Sequence, residues 1–292
     1  MRPSDPQSAV VMVRTMPGLF VLLWATGFIG AKLGLPDAPP LKFLLWRFLI
    51  VIVLMGAIAL ACRARWPRGM QIVHVAIAGV LLQAVYLGGV FTAIDLGLSA
   101  GLSALIVGLQ PVLTAVSGPL VGERVSPRQW SGLALGLAGV AMVVWHKLGF
   151  AGFGWQAIAA CVAALIGITV GTLYQKRHCG EQDLRTQSVI QFIAAGAVLA
   201  PLSFWFETRT VNWSANLTFA VLWLALVLSL GAIPLLMLMI RRGAATAVSS
   251  LMYLVPPVTA LMAYFLFDEQ LTMLSLLGMG VAVLGVALVV RK

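Results

Sequence analysis

The residues able to do chemistry in this chain are few, and most sit deep inside apolar runs. A bilayer crossing takes about 20 apolar residues, so depth can be counted along the sequence. Trp24 falls midway through the run 16–34, and Gln83 midway through 71–94 with Tyr86 one turn on. Ser99, Ser103, Gln110, Thr114 and Ser117 follow at steps of four, seven, four and three. That spacing keeps them on one face of a helix over 99–121. Pro111 follows Gln110, and Tyr253 lies three residues before the pair Pro256-Pro257 in the run 244–267. These groups exchange hydrogen bonds and offer ring faces. His74, His146 and His178 fall near the ends of runs and Asp95 has no acidic neighbour, so neither a Ser/His pair nor a membrane aspartate pair is built. Cys62, Cys161 and Cys179 share no CxxC or Cys/His spacing, and no metal or cofactor is expected. The chemistry on offer is reversible binding, and the chain is not expected to be an enzyme.

In hydrocarbon a mid-span polar group must find a partner or face a cavity. For the serines and threonines of 99–121, helix–helix hydrogen bonding and a cavity lining both fit. Gln110 has donors and an acceptor to satisfy, sits at the centre, and is expected to line a polar cavity. Trp24, Gln83 and Tyr86 read either as solute contacts or as filled core. The other tryptophans, such as Trp46 and Trp213, suit interfacial belts. Pro111, Pro256 and Pro257 free carbonyls near Val107, Met252 and Tyr253, which makes either a packing kink or a gate. Arg47, Asp95, Glu123 and Glu269 are expected at or near helix ends, capping or snorkelling. On that reading no full charge stands at mid-depth.

The elements that must position these groups follow from composition. Of 292 residues, 61% are hydrophobic and 10% charged, against roughly a quarter charged in soluble domains. A soluble core of this size could not hide so much apolar surface, which leaves an all-α polytopic membrane protein. Ten transmembrane helices are expected: 16–34, 41–61, 71–94, 99–121, 127–146, 153–175, 185–205, 217–240, 244–267 and 271–290. The N-terminus lacks a signal-peptide cleavage pattern, so its first apolar run is expected to become the first span. The net charge of +10 comes from bases set between apolar runs, which suits membrane loops rather than nucleic acid. With the N-terminus inside, fourteen of the nineteen Lys and Arg fall on the inner side, and both termini are cytoplasmic.

The chain also repeats. Shifted by 146 positions, residues 103–144 lie on 249–290 without a gap. Ser103 meets Ser249, Pro111 meets Pro257, Glu123 meets Glu269, Gly132 meets Gly278, and Gly139 meets Gly285. Each half, 1–146 and 147–292, then holds five spans, so the second must insert upside down. Inverted repeats of this kind carry their sites at mid-membrane between the halves and alternate access by rocking. Gly132, Gly136, Gly139, Gly278 and Gly285 imply close helix contact, either between the halves or between protomers of a homo-oligomer. A shared pocket of Trp24, Gln83, Tyr86, Ser103, Gln110 and Tyr253 is therefore expected. It would be amphipathic and, lacking Lys or Arg, suited to a neutral zwitterion rather than a phosphate.

Specific motifs resemble a known family. Leu22-Leu23-Trp24-Ala25-Thr26-Gly27-Phe28 resembles the first span of the EamA branch of the drug/metabolite transporter superfamily. Leu45-Trp46-Arg47-Phe48 resembles its second-span signature, and Pro111 through Gly122-Glu123-Arg124 with Gln129-Trp130 its most recognisable segment. Within that branch the chain is most similar to bacterial aromatic amino-acid exporters of the inner membrane. The resemblance implies a central cavity and export of amino acids and related small metabolites across that bilayer. Export of other solutes, such as nucleosides or cationic compounds, is the alternative, with a channel or an intramembrane enzyme further off.

Overall fold

The computed structural model describes residues 6–98, 103, 106–122, 124–145, 154–180, 182–242, 245–267 and 271–290. Every regular element among them is a helix, as uninterrupted apolar runs require where only intrasegment hydrogen bonds can satisfy the backbone. The elements are α1 (Pro6–Gly34), α2 (Pro40–Ala61), α3 (Met70–Asp95), α4 (Gln110–Ser117), α5 (Pro127–Val144), α6 (Trp155–His178), α7 (Leu184–Phe206) and α8 (Ala215–Arg241). They continue with α9 (Val255–Phe267), entered through Ala245–Ser250 and Leu251–Leu254, and α10 (Met273–Val290). Among the described residues eight segments are long and apolar enough to cross a membrane, α9 together with its lead-in from Val248, while α4 and α5 are not among them.

The irregularities recur at the repeat distance. A π-helical stretch interrupts α3 at Val80–Val85 and another interrupts α8 at Leu224–Ala232; shifted by 146, residues 80–85 fall on 226–231. Such wide turns shift the helix face and are enriched at functional sites. Gly108-Leu109 form a turn just ahead of α4, and the 3-10 turn Leu251–Leu254 stands just ahead of α9. Pro111, Pro256 and Pro257 lie in the first turns of the segments that follow. At Pro111, in the first turn of α4, the missing N–H is one of those left over at a helix start, whereas Pro256 and Pro257 follow the 3-10 turn Leu251–Leu254 without a break inside the span Val248–Leu266. Pro111 thus begins a helix, and Pro256 and Pro257 stand where a 3-10 turn passes into α9.

Helix packing is paired in the same way. α3 packs on α6 as α8 packs on α1; α3 meets α7 as α8 meets α2; α4 meets α6 as α9 meets α1. α2 with α7 and α5 with α10 are their own mates under that exchange, and α4 meets the lead-in Ala245–Ser250 of α9. The α5–α10 seam is the tightest. A Cβ on Gly132 would lie 2.7 Å from the Gly285 carbonyl oxygen, and one on Gly139 the same 2.7 Å from that of Gly278. Because Gly132 meets Gly285 while Gly139 meets Gly278, the two helices run antiparallel. Only glycine lets backbones approach this closely. These glycines therefore join two parts of one chain.

Candidate functional site

One cavity is walled by α1, α2 and α3 on one side and α6 and α8 on the other. Trp24 and Tyr86 stack in it with ring centroids 6.4 Å apart and planes 10° from parallel. Phe20 supports Trp24 from behind at 5.1 Å. Gln83, carried on the π-helical stretch of α3, lines the same space with its Oε1 unpartnered. Phe28, Phe91, Ile168 and Leu228 complete an apolar wall. Three of the sequence-predicted residues, Trp24, Gln83 and Tyr86, are thus brought together by α1 and α3.

Arg47 overturns an expectation. Rather than snorkelling from a helix end it is 0% exposed and lines the cavity, so a full charge does stand inside the protein. It lies seven residues into α2, about 10 Å along the axis at 1.5 Å per residue. Its side chain crosses to α8, where Nε donates to Ser229 Oγ at 2.9 Å. The Ser229 hydroxyl donates in turn to the Leu224 carbonyl at 3.0 Å, five residues back, along the π-helical stretch. With that proton spent, Ser229 can only accept from Arg47, which fixes one edge of the guanidinium. Nη1 and Nη2 have no protein partner. Ser229 and Gln83 are related by the 146-residue shift, so the two wide turns carry the cavity's polar groups in both halves. The sequence signal was the pairing of an Arg inside a 22-residue apolar helix with a mid-span Ser in Gln83's frame.

The remaining predicted residues do not line this cavity. Gln110 Nε2 donates to Ser249 Oγ at 2.9 Å and approaches Thr114 Oγ1 at 3.4 Å, tying α4 to the segment ahead of α9. Ser103 is buried, and its carbonyl lies 3.7 Å from Cys161 Sγ on α6. Tyr253 is buried with its ring seated against Gly136, where any Cβ would collide with it. Its hydroxyl has no partner. The polar stripe of 99–121, as far as it is described, thus packs α4 against α6 and the α9 lead-in; Ser99, Glu123, His146 and Glu269 lie outside the described residues.

Charged groups at one end of the bundle join the halves. Glu207, just after α7, accepts from the backbone N–H of Leu41 and of Lys42 at 2.6 and 2.9 Å, capping the N-terminus of α2. Lys42 Nζ returns to the carbonyls of Glu207 and Arg209 at 2.9 and 2.6 Å. Arg209 pairs with Asp95 at 2.7 Å, and Asp37 accepts from Asn212 and Ser214. At the opposite end His74 Nδ1 and the Tyr174 hydroxyl stand 2.7 Å apart, linking α3 to α6. There too Thr186 on α7 donates to the Arg65 carbonyl at 3.0 Å.

Against known proteins, the EamA-like transporter family matches residues 18–145 and again 154–291. YedA, an uncharacterized inner membrane transporter of Escherichia coli (strain K12), is 30% identical over 270 residues, spanning 92% of this chain and 87% of its own. A protein of the same organism named probable amino-acid metabolite efflux pump is 25% identical over 272 residues, 89% of this chain and 88% of its own. A crystal structure at 20% identity superposes with a TM-score of 0.79 over 94% of this chain and 95% of the other, which establishes a shared fold. By the double match, one in each half, this chain belongs to the EamA-like transporter family.

Proposed function

We propose that this protein exports amino acids, aromatic and other neutral ones among them, and related small metabolites across the bacterial inner membrane. Two inverted five-helix repeats, 1–146 and 147–292, alternate access to the central cavity, with both termini in the cytoplasm. The observation that carries this reading is a cavity bounded by helices of both halves that combines stacked aromatic faces, an amide and a guanidinium. Ring faces suit an apolar or aromatic side chain, and the polar groups suit a head of opposite charges. The paired helix contacts, the antiparallel α5–α10 seam and the two family matches support the inverted repeat. The names of the relatives support the inner membrane and the solute class. On this topology the Glu207–Lys42 and Arg209–Asp95 contacts lie on the outer face, where they act as the closed outer gate.

Counterflow in proteoliposomes tests the solute class. Vesicles loaded with L-phenylalanine are expected to take up labelled L-phenylalanine saturably, with neutral amino acids competing. Competition by nucleosides or cationic drugs alone would replace the solute class, and unsaturable flux would replace the carrier. Reporter fusions test the topology: cytoplasmic activity is expected after residues 65, 125, 180, 242 and 292, and none after 37, 148 and 210.

A further inference from the structure

Arg47 is a full positive charge sealed inside the protein, and among the described residues nothing answers it. The chain has nine acidic residues. Four are described, and each is engaged at an end of the bundle: Asp37 with Asn212 and Ser214, Asp95 with Arg209, Asp183 with Arg185, and Glu207 with the start of α2. The others are Asp5, Glu123, Glu181, Asp268 and Glu269, all at a terminus or between helices in sequence. A buried charge without a counter-charge is costly, and removing one is often neutral or stabilising. Five N–H groups belong to a guanidinium; Nε is committed to Ser229, and the edge formed by Nη1 and Nη2 is left to the cavity that Arg47 lines.

We infer that Arg47 is the anchor for a carboxylate carried by the solute, and that the transporter selects for carboxylate-bearing molecules. This rests on the transport reading above and narrows its solute class. The geometry favours a carboxylate over a larger polyanion. One planar fork pairs with one planar anion bidentately, and the rest of the wall is apolar or aromatic apart from Gln83 and Gln175. Gln175 is tied to Gln191 Nε2 at 2.9 Å, which leaves Gln83 Oε1 as the free acceptor for an ammonium or other N–H donor on the same solute. The stacked Trp24 and Tyr86 rings take its apolar body. Ser229 positions the guanidinium without touching the solute.

The test compares competitors that differ only at the head group. In counterflow of labelled L-phenylalanine through wild-type protein, unlabelled L-phenylalanine should compete at least about tenfold better than its carboxamide. 3-Phenylpropanoate, which keeps the carboxylate and lacks the amine, should still compete. In Arg47→Gln the preference for carboxylate over carboxamide should fall to near one, and Arg47→Lys should restore part of it. Thermal stability in detergent reads the alternative role: a carboxylate anchor predicts Arg47→Gln to melt no lower than wild type, whereas a structural strut predicts a lower melting temperature. Equal competition by acid and amide in wild type, or an unchanged preference in Arg47→Gln, would overturn the anchor. If amino acids neither exchange nor raise the melting temperature, but 3-phenylpropanoate raises that of wild type and its amide does not, the anchor stands and the amino-acid reading falls. If no carboxylate in the set competes or raises the melting temperature, the anchor falls.

Discussion

Around Arg47 five helices hold large side chains apart and leave polar atoms over; between α5 and α10 two helices press backbone against backbone. Both regions join the first half of the chain to the second, yet their materials are opposite. In the seam, glycine removes the side chain so that dispersion and close carbonyl contacts act along the whole crossing. In the cavity, wide turns and rings prevent such closure, and the polar groups of Arg47 and Gln83 stay unmatched. A charged guanidinium edge buried without a partner contributes nothing to stability, so the retention of Arg47 marks a place built for something other than folding. The seam holds the halves together, and the cavity is where they are kept apart.

The largest effect should come from breaking the seam. Gly139→Leu drives a side chain into the backbone of Gly278 and Ala282 and should cost about 3 kcal/mol or more, seen as loss of monodisperse protein in detergent. Normal yield and melting would mean that the seam is loose. As a control, Gly56→Ala in α2, where an added Cβ meets nothing within 4 Å, should stabilise by about 0.5 kcal/mol.

The next contrast separates two glutamines that look alike in sequence. Gln83→Leu should raise the half-saturating solute concentration about tenfold with melting unchanged, because Gln83 lines the cavity with an acceptor that no protein group satisfies. Gln110→Leu loses the bond to Ser249 and should cost about 1 kcal/mol of stability with affinity unchanged. Weakened transport affinity in Gln110→Leu would return Gln110 to the binding site. The smallest effect is expected at the contacts proposed as an outer gate. Glu207→Gln weakens the cap on α2 by about 1 kcal/mol. It should increase external thiol labelling of Ile94→Cys about fivefold, and unchanged labelling would remove Glu207 from the gate.

These two glutamines also mark how far sequence reasoning reached. Length and apolarity set the eight candidate membrane helices to within four residues of the expected spans, since hydrocarbon forces the backbone into helices wherever side chains allow. The glycine contacts and the Trp24, Gln83 and Tyr86 cluster were legible too, because helical period and depth put them on common faces. Depth could not tell Gln83 from Gln110. Both leave Oε1 without a partner, and what separates them is that the Gln110 N–H is taken up by Ser249, 139 residues away in sequence, while Gln83 lines the cavity. Arg47 was misread for a related reason. Counting from the helix start leaves a long side chain free to reach the interface, and only the position of Ser229 on α8 fixes it inward.

On the function proposed above, the solute occupies the cavity between the halves and not the polar crossing of α4 with the α9 lead-in. Substrate protection tests it most directly. Cys62, Cys161 and Cys179 are replaced by alanine, Gln83→Cys and Ser249→Cys are introduced one at a time, and labelling by a membrane-permeant maleimide is timed with and without saturating L-phenylalanine. The amino acid is expected to slow labelling at position 83 and to leave position 249 unaffected. Protection at 249 without protection at 83 would contradict it.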